Sequence, residues 1–278
     1  MTAMTHMTHR TKGLMLLISV GLTLGGWQLA HAQQRPAPAP AAAKPATAVP
    51  NTAAFTTGLP GQPNDNVQSG VAALQRGHYA IAMRSWRTDA DKGNALAQSN
   101  VGYLHEHGLG VPQSYPEAMA WYRKAAAQNL PQAQFNIGTL YFYGYGVERN
   151  PREGVNWFRL AAKQNLGEAQ YMLGLAYHEG TGVQADASQA LDWFVKSALM
   201  GYPAGQLMSG MVYLSGDAGR IEADKAYVWA EVAYNNGVMD ASLVRDYASY
   251  KISRKQIEQA KETAKRCVQS RYKDCPAR

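Results

Sequence analysis

Three kinds of side chain in this 278-residue sequence have the types and spacing for chemistry. His105, His107 and His178 offer imidazole nitrogens to a metal or a proton. A Gly-x-Gly-Val motif occurs at 108–111, 144–147 and 180–183, and glycine loops of this kind can cradle phosphate. Ser270-Arg271-Tyr272-Lys273 has the Ser-x-x-Lys spacing of an acyl-enzyme nucleophile. None stands in the company it needs. His105 and His107 are two apart and point to different sides of a helix. His105 also fills a position that is Tyr141, Tyr177 and Tyr213 further along, which reads as packing. The glycine motifs lie between helices with no strand before them, so they read as turns. Ser-Asp-Asn and Lys-Thr-Gly, the companions of Ser-x-x-Lys, are absent. The reading is no catalytic residue, no metal site and no cofactor.

Two cysteines are too few for a disulfide scaffold or a four-ligand zinc site. Cys267 and Cys275, eight apart, read as one clip that ties down the tail of an exported chain. Of the formal charge of +7, residues 1–32 contribute +2 and residues 251–278 contribute +6, leaving 33–250 at −1. A near-neutral body lacks the basic stripe that nucleic acid requires. The basic tail reads as a solvated helix face, with contact to an anionic lipid or polysaccharide as the alternative.

The N-terminus is an address. His9-Arg10-Thr11-Lys12 is basic, Gly13 to Leu24 is apolar, and Leu29-Ala30-His31-Ala32 ends in an A-x-A site. That order predicts a secretory signal peptide over 1–32, cut after Ala32, and a periplasmic protein. The apolar run falls short of the roughly 20 residues of a membrane span, so the mature chain is expected not to be an integral membrane protein. Residues 33–66, rich in Ala, Pro, Gln and Asn, read as a disordered linker.

What positions any site is a repeat. Gly102, Gly138, Gly174 and Gly210 are spaced by 36 residues, and so are Trp121, Trp157, Trp193 and Trp229. Two anchors with one period define tandem units of two helices each, over 67–238. Ser114, Asn150 and Asp186 stand before the second helices as N-caps, and Pro151 sits just inside its helix start. The fourth copy loses the second loop glycine. An N-terminal half-copy has Trp86, 35 residues before Trp121 and read as its equivalent. Beyond Gly237, over 239–278, a short helix and then a second one capped by Ser253 and Gln256 are predicted. The second places Ile257, Ala260, Ala264 and Cys267 on one face and covers the last repeat.

The pattern A-x4-G-x2-[YH]-x2-G-x-G-V, followed by A-x2-W-[YF], resembles the Sel1-like repeat family, longer-period relatives of tetratricopeptide repeats. The resemblance implies an all-α, right-handed solenoid of antiparallel helix pairs with a C-terminal cap. It implies a non-enzymatic scaffold or adaptor, often in bacterial envelopes, binding a protein or peptide. Peptidoglycan or another glycan is the alternative ligand. Some cysteine-rich relatives are linked to penicillin binding and β-lactam hydrolysis, but their repeats carry a cysteine pair that this chain lacks.

In such solenoids the first helices line the concave face, at offsets −3, +1 and +4 from the repeat glycine. Those positions are Ser99, Tyr103, Glu106; Phe135, Thr139, Phe142; Tyr171, Leu175, His178; and Leu207, Met211, Leu214. Each trio shares a helical face. The expected binding residues are Tyr103, Glu106, Phe135, Thr139, Phe142, Tyr171, Leu175 and His178. For Leu207, Met211 and Leu214 the competing reading is packing against the cap.

Overall fold

The computed structural model describes residues 65–277, so the predicted signal peptide and nearly all of the predicted linker lie outside the described residues. Twelve helices and no strand occupy the described residues. An N-terminal pair comprises α1 (Asp65–Gln75) and α2 (Tyr79–Asp91). Four pairs follow: α3 (Ala95–His107) with α4 (Tyr115–Ala126), α5 (Pro131–Tyr143) with α6 (Pro151–Lys163), α7 (Gly167–Glu179) with α8 (Ala187–Leu199), and α9 (Pro203–Ser215) with α10 (Ala223–Asn235). α11 (Ala241–Ser249) and α12 (Arg254–Gln269) close the C-terminal end. The result is a helical solenoid whose core is a series of apolar clusters between successive pairs.

Local rules fix each pair. Ser114, Asn150 and Asp186 accept the main-chain N–H of Glu117, Glu153 and Gln189, satisfying donors that a helix start leaves unpaired. The first helices end on left-handed glycines, Gly108, Gly144, Gly180 and Gly216. The second glycine of the motif has another duty. A Cβ on Gly146 would collide with Tyr115, and one on Gly182 would lie 2.6 Å from the Pro151 carbonyl oxygen. Both glycines of each motif are therefore structural. Between pairs the chain reverses at Gly93, Asn129, Asn165, Gly201 and Gly237, all at positive φ and all 36 apart. Asn is among the few residues besides glycine that tolerate this conformation.

In the first three copies the repeat glycine is a notch for a ring, whereas Gly210 of the fourth faces Ala226, Ala230 and Val244. A Cβ on Gly102 or Gly138 would come within 2.7 Å of the Tyr122 or Phe158 ring, and one on Gly174 would strike Phe194. All three rings are fully buried. In the N-terminal pair the notch is Gly70 and the ring is Trp86. Trp86 lies 36 residues before Tyr122, so its equivalent is Tyr122 and not Trp121. The 35-residue alignment is thereby corrected: register follows the ring that fills the notch, whatever its residue type.

A polar ladder crosses the repeat junctions. Gln98, Gln134, Gln170 and Gln206 recur every 36 residues, and all are buried. Gln98, Gln170 and Gln206 donate to the carbonyls of Ala90, Ala162 and Ala198 at the ends of the preceding second helices. Gln134 donates instead to Asn129 Oδ1. Three of the four also accept from the turn that follows their own pair: Gln128 to Gln98 at 2.9 Å, Gln164 to Gln134 at 2.8 Å and Asn236 to Gln206 at 2.8 Å. The equivalent of those donors for Gln170 is Met200, and Gln170 Oε1 has no hydrogen-bond partner.

At the C-terminus α11 packs on α9 and α10, and α12 packs on α10. Ser253 and Gln256 form a reciprocal capping box at the start of α12. Ala260, Ala264 and Cys267 are buried and Ile257 is half-buried. A disulfide joins Cys267 to Cys275, whose Cα atoms are 4.6 Å apart. The tail so tied lies back on the last repeat. Asn236 donates to the Tyr272 hydroxyl at 2.9 Å, and Trp229 Nε1 donates to the Pro276 carbonyl at 3.1 Å.

Candidate functional site: the groove of the first helices

The first helices α7 and α9 touch directly, whereas among the described residues no two second helices approach each other to the same degree. That contact puts α7 and α9 on the inner side of the stack. The predicted stripe runs along the first helices, and the structure divides it.

Offsets −3 and +4 grip the notch ring from two sides. Phe135 and Phe142 each pack 5.6 Å from Phe158, centroid to centroid. Tyr171 and His178 lie 5.9 and 6.4 Å from Phe194. In the first repeat the +4 residue is Glu106, whose Oε2 accepts the Tyr122 hydroxyl at 2.6 Å. The −3 and +4 residues are therefore half wall and half surface, and the balance differs by position. Tyr103, Glu106, Phe135, Thr139, Tyr171, Leu175 and His178 are half-buried and keep part of their surface open. Thr139 directs its hydroxyl to the Phe135 carbonyl at 3.0 Å and so presents its methyl group.

Phe142 requires correction. It is only 5% exposed. Its neighbour on α6 is Gly154, where the other copies have Ala118 and Ala190, and the missing methyl group lets the Phe142 backbone and ring settle inward. Phe142 is a core residue and offers nothing to a partner. Ser99, Leu207, Met211 and Leu214 are also buried. The last three join the cluster that contains Val244 and Ala248 of α11, so the cap covers the aliphatic end of the stripe.

The open groove is richer in tyrosine than the offsets predicted. Tyr143 and Tyr145 stack at 5.7 Å, Tyr145 and Tyr115 at 5.6 Å, and Tyr171 meets Tyr202 at 5.4 Å. These residues come from a helix end, a loop, a second-helix start and a turn, so a search confined to one helical face misses them. The signal lay in the Gly-x-Gly-Val motif itself: its variable residue is Tyr145 in the second copy, against Leu109 and Thr181 in the others.

Burial, helped by nearby carboxylates, raises these phenols above their ordinary value. Tyr171 is pushed up to about 12, by burial first and then by Tyr202 and Glu179. Tyr103 and Tyr143 rise further, by burial first and then by Glu106 and Glu179 respectively. The rings stay neutral across the physiological range and serve as apolar faces with a polar edge. The Glu106 carboxyl is itself raised by burial, against the pull of His107 and the Tyr122 hydrogen bond.

The remaining chemical candidates resolve structurally. His107 stacks on Tyr103 at 4.1 Å with Nδ1 3.1 Å from the Tyr103 carbonyl. His105 lies half-buried, its basicity lowered by burial and by the Arg87 charge, though Glu117 opposes this. Its equivalents Tyr141 and Tyr177 accept from Arg123 and Arg159, at 3.0 and 3.3 Å. Ser270 Oγ bonds the Cys267 carbonyl and accepts from the Asp274 N–H, as a helix-end group does. Among the described residues no helix is long and apolar enough to cross a membrane.

Four consecutive stretches, 95–130, 131–166, 167–202 and 203–238, match the Sel1 repeat. A protective antigen of uropathogenic Escherichia coli strains with an SLR fold is 28% identical, with a TM-score of 0.65 over 75% of this chain. That match spans 47% of the antigen, so this chain corresponds to about half of it. A Sel1 repeat protein from Oxalobacter formigenes is 26% identical over 75% of this chain and 91% of its own, with a TM-score of 0.61. No curated protein matches the chain. Repeats of this kind generally mediate contacts between proteins. The matched units cover more than half of the sequence and begin and end where the 36-residue period does, and the chain belongs to the Sel1 repeat family.

Proposed function

We propose that this protein is a non-enzymatic scaffold of the bacterial periplasm that holds a segment of another protein along the groove of its first helices. The observation that carries this reading is the half-buried aromatic row, from Tyr103 through Phe135, Tyr143 and Tyr171 to Tyr202. Rigid rings with a polar edge give large contact area at little entropic cost, which suits an extended peptide or a partner helix. The basic-apolar-A-x-A leader of the sequence supports export. The Cys267–Cys275 disulfide supports an oxidising compartment.

The test is photo-crosslinking in the native cell envelope from a probe placed at Thr139, compared between the parent chain and its Phe135→Ala and Tyr171→Ala variants. A discrete protein adduct that both variants weaken supports the reading. Adducts unaffected by either variant sink it. A second reading, a glycan strand stacked on the flat faces of Tyr143, Tyr145 and Tyr171, predicts retention on purified sacculi that the same variants abolish.

A further inference from the structure

Glu106 is a carboxylate set into an aromatic wall, with the His107 imidazole beside it in sequence. It accepts one hydrogen bond, from the fully buried Tyr122 hydroxyl, and among the described residues no lysine or arginine pairs with it. Three tyrosines surround it from three different elements. Tyr103 precedes it by one turn on α3. Tyr115 begins α4, and its hydroxyl accepts from Gln113 Nε2 at 3.2 Å, while the same amide donates to the Glu106 main-chain oxygen at 2.8 Å. Tyr145 comes from the loop of the next repeat and stacks on Tyr115. The Glu106 charge is felt by all three phenols, which burial and that charge together raise.

Elsewhere the protein supplies its own cations to aromatic faces. Lys124 lies 3.8 Å from the Trp121 ring centroid and Lys196 lies 4.1 Å from that of Trp193. No such cation covers Tyr115 or Tyr145 among the described residues. A carboxylate beside ring faces is a concentrated negative field, because aromatic faces carry negative charge density. A partly desolvated carboxylate with a neutral hydrogen-bond donor but no lysine or arginine beside it also costs stability unless a cation arrives to pair with it.

We propose that Glu106, Tyr103, Tyr115 and Tyr145 form a seat for one basic side chain, lysine or arginine, of the bound protein segment. This rests on the groove reading and specifies its chemistry: the partner is read by a positive charge at the N-terminal end of the groove and by apolar side chains beyond it. The carboxylate provides the charge pairing, and the three rings provide π faces and exclude water.

The test is an NMR titration of the chain with ring-labelled tyrosine. One probe is a five-residue peptide, blocked at both ends, with a central lysine among glycines, and the other is its glutamine counterpart. The lysine peptide is expected to shift the Tyr103, Tyr115 and Tyr145 ring signals saturably. The glutamine peptide should bind at least ~tenfold more weakly, and so should the lysine peptide with Glu106→Gln. Glu106→Gln retains an oxygen for the Tyr122 hydroxyl, so the fold is kept. Tyr145→Leu, which keeps bulk but removes the π face, should also weaken binding. Equal titration by the two peptides, no titration by the lysine peptide, or unchanged binding by Glu106→Gln overturns the cation seat. Equal titration leaves the groove reading standing, whereas the groove reading fails only by the crosslinking test at Thr139.

Discussion

Gln164 Nε2 donates to Gln134 Oε1 across 2.8 Å, and the same bond one repeat later is missing because position 200 is methionine. Met200 is 48% exposed, while the Gln170 oxygen it should face is buried and unpaired. Met200→Gln is expected to complete the ladder and to raise unfolding free energy by about 1 kcal/mol. Urea denaturation followed by far-UV circular dichroism checks this. A variant no more stable than the parent would mean that Gln170 Oε1 is already satisfied by solvent.

Gly154 and Phe142 are a matched pair. A Cβ at 154 would lie 2.8 Å from the Gly138 carbonyl oxygen and 2.9 Å from the Phe142 nitrogen. Those are backbone atoms that cannot swing away. Gly154→Ala should therefore destabilise by about 2 kcal/mol, although alanine is the better helix former by about 1 kcal/mol. Alanine stands at the equivalent positions 118 and 190, where the facing side chains are Glu106 and His178. Phe142→His should thus recover part of the loss in Gly154→Ala. Thermal melts of the two single variants and the double variant measure that coupling.

The raised carboxyl of Glu106 makes stability depend on pH in a definite direction. Its folded value lies above its ordinary 4.5, by burial first. The folded state therefore holds this proton more tightly than the unfolded chain. The contribution is fully present below 4.5 and is lost as pH rises through the folded value. Glu106→Gln stays neutral throughout. Its melting temperature relative to the parent should rise between about pH 4 and neutrality, and the two should converge at lower pH. An advantage for the variant that does not change with pH would count against a buried, raised carboxyl.

Loss of the disulfide should free the tail from the last repeat. A loop of this size contributes about 2.5 kcal/mol on chain-entropy grounds. Cys267→Ser with Cys275→Ser should lower stability by up to that amount and expose the Trp229 indole as the Pro276 bond is released. Hydrogen exchange localises the effect: protection should fall in α10 and α12 and remain in α3 and α4, since distant repeats share no contacts.

Much of this was legible in the sequence because the repeat is its own alignment. The period, the caps at Ser114, Asn150 and Asp186, the turn role of Gly-x-Gly and the terminal capping box all rest on local rules. Periodicity of one helix also named Tyr103, Glu106, Phe135, Thr139, Tyr171, Leu175 and His178 as candidates, and all seven are half-buried with part of their surface open. It failed at Phe142, because burial there depends on a methyl group missing from a different helix. For Leu207, Met211 and Leu214 it left open packing against the cap, and they pack there, in the cluster of α11. Tyr115, Tyr143, Tyr145 and Tyr202 were missed because they converge from separate elements. The Trp86 register went astray because tryptophan matched tryptophan, while packing matched a ring to a notch.

The glycine notch has one further consequence. Gly102, Gly138, Gly174 and Gly210 are invariant across the four copies, yet the −3 positions read Ser, Phe, Tyr and Leu, and the +4 positions read Glu, Phe, His and Leu. Apart from Phe142, which leans on Gly154, these letters vary without altering the frame, because notch and ladder fix the spacing of the helices. Each 36-residue unit is thus a self-registering cassette that carries its own recognition letters. New specificities can arise by duplicating, deleting or shuffling whole units, with no need to redesign the fold that displays them.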